Sequence, residues 1–232
     1  TLSSSSAASD VYKRQIRDIF ARVATLYVAD GHHRSAAGTL VAQRRKEFNV
    51  NHTGKEEYNF FLAVLFPKSQ MKIMAYNRVV ADLNGLSEQE FMNRIKGGFR
   101  ITEGAPPSPA GRLHYSMYLG GKWYGLEPGE GTFSENDPVR SLDASILQDN
   151  LLKPVLGIDD PRTSERIDFV GGIRGTGELE RLVDSGRYAV AFSLYPTSID
   201  QLMEVADSGN VMPPKSTWFE PKLRSGMVVH LL

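Results

Sequence analysis

Asp30, Gly31, His32, His33 and Arg34 stand side by side in "YVADGHHRSAAG", followed by Ser35 and a run of small residues. Their types suit an anion. A helix starting just after Gly31 would present unpaired backbone N–H groups and about half a positive charge, the usual setting for a bound phosphate. Glycine permits a close backbone approach or a positive φ that a side chain forbids. Arginine adds a planar, permanently charged fork for oxyanions. Histidines donate to phosphate oxygens or move a proton near neutral pH, and Asp30 is placed to hold Mg²⁺ or to orient a hydroxyl. The plainer alternative is a tight strand-to-helix turn capped by Asp30, with the basic residues solvated. Zinc fits His32 and His33 poorly, because adjacent residues seldom converge on one tetrahedral ion and the chain has no cysteine.

A second cluster is "MPPKSTWFEPKLR", Met212 to Arg224. Pro213, Pro214 and Pro221 stiffen it, which suits a loop presenting Lys215, Ser216, Thr217 and Lys222 in fixed positions. Lysine and hydroxyl donors are compatible with phosphate, while Trp218 and Phe219 either stack on a base or fill the core. Arg78 ends a strand in "AYNRVV" and reads more readily as a surface ion pair than as a site residue. The glycines of "GGIRGTGE" match no phosphate-loop spacing. Asp143 and Asp149 lie about 240° apart around a helix, so they do not form a catalytic carboxylate pair. His52, His114 and His230 are isolated and read as structural or solvated.

The elements that must position these residues follow from periodicity and stop signals. Ile16–Ala24 reads as a short helix, Thr25–Ala29 as a strand, and Ser35–Phe48 as a helix with Ala37, Leu40, Val41 and Phe48 inward. Tyr58–Phe66 is a near-continuous apolar run suited to a central strand, with Met71–Val80 expected to pair with it. Ser87 with Glu90 and Ser198 with Gln201 are capping boxes opening helices to Ile95 and Ala206. Gly120–Gly121 marks a hairpin. Ser141–Leu152 and Gly177–Val183 read as helices; Ile167–Val170, Tyr188–Leu194 and Met227–Leu231 read as strands. Residues 103–110 are the best candidate linker or long surface loop. The class is α+β, a mixed sheet with flanking helices in one compact unit.

Composition narrows the function classes. Among 232 residues, 27 basic and 27 acidic side chains cancel, so no bulk field favours nucleic acid or an anionic membrane. No apolar run approaches the roughly 20 residues that span a bilayer. The absence of cysteine fits a reducing compartment, and the expectation is a cytoplasmic protein. Residues 1–15 resemble translated adaptor sequence and are set aside as an artefactual or disordered leader. On that reading the chain is a C-terminal fragment whose natural sequence continues upstream.

Taken together, "LYVADGHHRSAAG", "LDASILQDNLLKPVLGI" and "LVDSGRYAVAFSLYPTSIDQLMEVADSGNVMPPKSTWFEPKLRSGMVVHLL" resemble the prokaryotic family known as domain of unknown function 1015. Its "DGHHR" stretch is similar to the phosphate-binding loops of the ParB and sulfiredoxin superfamily, which includes CTP-hydrolysing partition proteins, ATP-using sulfiredoxins and free-serine kinases. The resemblance implies a ParB/sulfiredoxin-like fold with Gly31, His32, His33, Arg34 and Ser35 as nucleotide-phosphate contacts. Lys215 and Ser216 would close the site from the other side. Asp30 would lie near Mg²⁺ or the accepting hydroxyl, with Asp30, His32 and His33 as the catalytic candidates. The cofactor would be ATP, ADP or CTP with Mg²⁺. The implied activity is nucleotide-dependent phosphoryl transfer to a small hydroxylated metabolite such as serine, with the general base upstream of the phosphate motif. The alternative is a nucleotide-binding or slowly hydrolysing switch or scaffold. The sulfiredoxin cysteine is missing, so reduction of sulfinic acids is not implied.

Overall fold

A computed structural model of the chain describes residues 2–224, 226–227 and 229–231, with side chains from residue 10 onward. The chain divides into two compact units, residues 1–61 with 230–232, and residues 62–229. Among the described residues no helix is long and apolar enough to cross a membrane.

The first unit is built on two helices, α1 (Leu2–Phe20) and α2 (His32–Phe48). Helix α1 starts well before Ile16, within the stretch set aside as a leader. Residues 23–29 between the helices are irregular, so the expected strand Thr25–Ala29 does not form. Its β-branched and aromatic residues favour a pleated surface only where a neighbouring strand supplies one, and the unit contains no described strand. Helix α2 buries none of its residues. Leu40 and Phe48, expected inward, are 59% and 87% exposed. After α2, the Tyr58 hydroxyl accepts from Asn49 Nδ2 at 3.0 Å and lies 2.9 Å from His52 Nδ1, the structural role expected of that histidine.

The run Tyr58–Phe66 forms no strand. It opens with a 3₁₀ turn at Glu57–Asn59 and continues as exposed, irregular chain, with Phe60 and Phe61 each 55% exposed. Met71–Val80 therefore pairs elsewhere. It breaks at Ala75 into β1 (Lys72–Met74) and β2 (Tyr76–Val80).

The second unit also contains α3 (Glu88–Ile95), β3 (Phe99–Glu103), β4 (Tyr115–Leu119), β5 (Lys122–Pro128), α4 (Asp143–Leu147), β6 (Ile167–Gly171), α5 (Gly177–Asp184), β7 (Val190–Leu194), α6 (Ile199–Asp207) and β8 (Trp218–Glu220). Six strands form one sheet in the order β3-β5-β4-β7-β2-β6, and every pairing in it is antiparallel. The α+β class follows. A separate ribbon pairs β1 with β8, Ile73 opposite Phe219. The expected final strand Met227–Leu231 includes Val228, which lies outside the described residues.

Local chemistry accounts for these elements. Both capping boxes form, with Ser87 Oγ accepting from Glu90 N–H and Ser198 Oγ from Gln201 N–H. Gly120 and Gly121 both take positive φ at the turn from β4 to β5, as a tight hairpin requires. The central strands are buried on both faces. In β7, Val190, Phe192 and Leu194 join the core that includes Phe91, Ile95, Met117, Ile146 and Leu151, while Ala191 joins Leu179, Leu182 and Tyr118. Period-two alternation places successive residues in these two layers. Burial on both sides is why the strands read as apolar runs.

Phe192 is fully buried at the centre of the sheet. Phe192→Ala should cost the second unit about 3–5 kcal/mol, read as a lowered denaturation midpoint in urea with an unchanged slope.

Candidate functional site

The first candidate group surrounds Gly31. Gly31 has φ +85°, a left-handed conformation that a side chain would strain, and α2 begins at the next residue. The Arg34 side chain folds back over it. A Cβ built on Gly31 would stand 3.0 Å from Arg34 Nη2 and 3.2 Å from Nε. No side chain caps the N-terminus of α2, and its first turn holds no acidic residue. The first helical bond runs from Ser35 N–H to Gly31 C=O at 2.9 Å, so the amides of His32, His33 and Arg34 precede the helical ladder. A helix start with three such amides and a guanidinium folded over the preceding glycine brings together hydrogen-bond donors of the kind an oxyanion takes.

The remaining residues of the motif have distinct places. Asp30 is exposed, and its Oδ1 accepts the Gly31 N–H at 2.9 Å, which holds the turn. Ser35 Oγ donates to the Gly31 carbonyl at 3.2 Å, so its hydroxyl hydrogen braces the loop. His32, His33 and Arg34 are all exposed. Among the described residues no group of three or more His, Asp or Glu side chains is arranged to hold a metal ion.

Lys215 and Ser216 belong to the second unit. Lys215 adopts φ +56°, and its carbonyl accepts from Arg78 Nη2 at 3.2 Å. Its ammonium lies 5.7 Å from the Tyr76 ring centroid and 5.9 Å from that of Phe169. Ser216 is buried, and its hydroxyl donates to the Pro213 carbonyl at 2.6 Å. Trp218 packs against Tyr76, with ring centroids 5.4 Å apart, and over Gly171, where a Cβ would meet its ring at 2.7 Å. Phe219 is buried. The aromatic pair thus serves packing.

Arg78 corrects the reading from sequence. It is not a surface ion pair but a charged side chain only 4% exposed in β2, bonded to the carbonyls of Tyr76 and Lys215 and 5.6 Å from the Phe169 centroid. Burial draws its guanidinium down to about 10, and it stays charged at neutral pH. The available signal is its place inside "YNRVV", where Asn77, Val79 and Val80 are also buried. Asp143, at the start of α4, is also buried. Its Oδ1 accepts the Leu113 N–H at 3.1 Å, and its carbonyl accepts from the Tyr115 hydroxyl at 3.0 Å. Asp149 is exposed, so the two carboxylates do not act as a pair.

A family model described as "Protein of unknown function (DUF1015)" matches residues 8–145. No curated protein sequence matches. Similar solved structures include a free serine kinase in complex with AMP, 14% identical with a TM-score of 0.41, the match covering 83% of this chain and 66% of that one. A mutant free serine kinase in complex with ADP is 16% identical, with a TM-score of 0.41 and the same coverage. A conserved hypothetical protein from Pyrococcus furiosus is 15% identical, with a TM-score of 0.42, over 83% of this chain and 68% of that one. The chain therefore spans just under two thirds of the length of these free serine kinase structures.

Burial pushes the Asp143 carboxyl from 3.8 up to about 6, partly offset by the Leu113 amide and by Arg112, His114 and Arg78. The folded state therefore holds this proton more tightly than the unfolded chain. The stability it contributes is full below pH 4 and is lost as pH rises to about 6, a change of roughly 2–3 kcal/mol. Asp143→Asn keeps an acceptor for Leu113. It should be more stable than wild type at pH 7.5, with the difference shrinking towards pH 4 in denaturant titrations. Parallel curves at both pH values would contradict the assignment.

Proposed function

The chain belongs to the DUF1015 family, and from that premise we propose that it is part of a nucleotide-dependent phosphotransferase acting on a small hydroxylated metabolite such as free serine. One observation carries the reading: a left-handed Gly31 sits directly before an uncapped helix start, with the Arg34 guanidinium folded across it. The similarity of "DGHHR" to phosphate loops of the ParB and sulfiredoxin superfamily supports it. The reading rests on the first unit alone.

The first-turn amides of α2 would hold phosphate oxygens of ATP, ADP or CTP, and Arg34 would neutralise their charge. Gly31 is the residue a side chain would spoil, because a Cβ there would press on Arg34 and occupy the approach to the amides. His32 and His33 would donate to the outer oxygens or carry a proton. Asp30 is a single carboxylate beside this cradle, a donor set suited to Mg²⁺ when phosphates and water complete its shell; that ion would neutralise charge on the transferring group. Such sites accelerate phosphoryl transfer mainly by positioning and charge neutralisation.

Arg34→Ala should weaken nucleotide binding at least about tenfold without altering the far-ultraviolet circular dichroism. Unchanged affinity by calorimetry removes the reading. Incubation with nucleotide, Mg²⁺ and a panel of hydroxy amino acids then divides the two activity classes. Phosphorylated product supports the phosphotransferase; tight binding without product supports a nucleotide-binding switch.

A further inference from the structure

We propose that a cavity in the second unit, separate from the Gly31 loop, binds a small organic anion through Arg78 and Arg140. The cavity holds about 500 Å³, within the range of small-molecule sites. Arg78 and Arg140 line it together with Gln148, Asp149, Arg162 and Met212.

The charge balance points to the ligand. Arg78 is a buried cation, and a buried charge without a counter-charge is costly. Two neutral carbonyls take two of its five N–H donors. Among the described residues no carboxylate forms an ion pair with it, and Asp143, which acts on it at longer range, gives its own Oδ1 to the Leu113 amide. Arg140 is exposed and its side chain makes no hydrogen bond or close ion pair among the described residues, the Asp137 carboxylate acting on it at longer range. The other charges lining the cavity are largely matched. Arg162 holds Asp160 through contacts of 2.7–3.1 Å, and Asp159 faces Lys153 at 3.9 Å.

A carboxylate or phosphate group between Arg78 and Arg140 would supply the missing counter-charge. Asp149, exposed and unmatched by any ion pair among the described residues, disfavours a second anionic group. Val211, Met212, Pro213 and Pro214 in the lining suit an apolar stem. Together these select a small molecule with one anionic head rather than a polyanion such as a nucleotide.

The test uses inorganic phosphate and acetate as probes, titrated calorimetrically into the full chain, into Arg34→Ala and into Arg140→Gln. The Arg34 change removes the cation at the first-unit loop, and Arg140 is exposed, so neither burial nor a core contact is lost. Binding of at least one probe should be equal in wild type and Arg34→Ala and at least about fivefold weaker in Arg140→Gln. The tighter probe then identifies the head group. Binding that disappears in Arg34→Ala, binding unaffected by Arg140→Gln, or no binding of either probe would each overturn the proposal. Loss in Arg34→Ala alone would instead leave the Gly31 reading intact.

Discussion

One buried charge organises the second unit. Arg78 occupies the middle of β2, a strand buried from Asn77 to Val80, where a guanidinium withdrawn from water needs hydrogen-bond acceptors. One acceptor is local, the carbonyl of Tyr76. The other is the carbonyl of Lys215, 137 residues away, delivered by a left-handed backbone conformation at that lysine. The loop carrying Lys215 is fixed in turn: Ser216 donates to Pro213, Thr197 donates to the Ser216 carbonyl at 3.1 Å, and β8 pairs with β1 directly ahead of β2. Satisfying one arginine thus ties the C-terminal segment to the centre of the sheet.

The first unit follows a different logic. Its helix α2 buries nothing, so packing does not dictate the conformation at its start. What does is local: Asp30 receives the Gly31 amide, Gly31 turns left-handed, Ser35 donates back to the Gly31 carbonyl, and Arg34 folds over the glycine. These contacts close within six residues. The result leaves the N-terminus of α2 without a side-chain cap and its first turn without an acidic residue, the setting our phosphate proposal requires.

Features set by neighbouring residues were legible in the sequence. The capping boxes at Ser87 and Ser198 and the hairpin at Gly120–Gly121 depend on hydrogen bonds and dihedral angles within a few residues, and all three form. So do β6, α5 and β7, whose apolar periods match the layers they enter. Features set by distant partners were not. Thr25–Ala29 and Tyr58–Phe66 have strand composition without a strand beside them, and the two units divide inside the second run, where composition shows no linker. Arg78 looked solvated because its acceptor at Lys215 is remote in sequence.

If α2 opens on a phosphate-binding cradle, its first-turn amides bond the phosphate oxygens of a bound nucleotide. Backbone amide NMR during nucleotide titration reads this out, because an N–H that bonds a phosphate oxygen moves downfield. Large, saturable shifts are expected at the amides of His32, His33 and Arg34. Saturable nucleotide binding that leaves those three amides unmoved would contradict such a cradle.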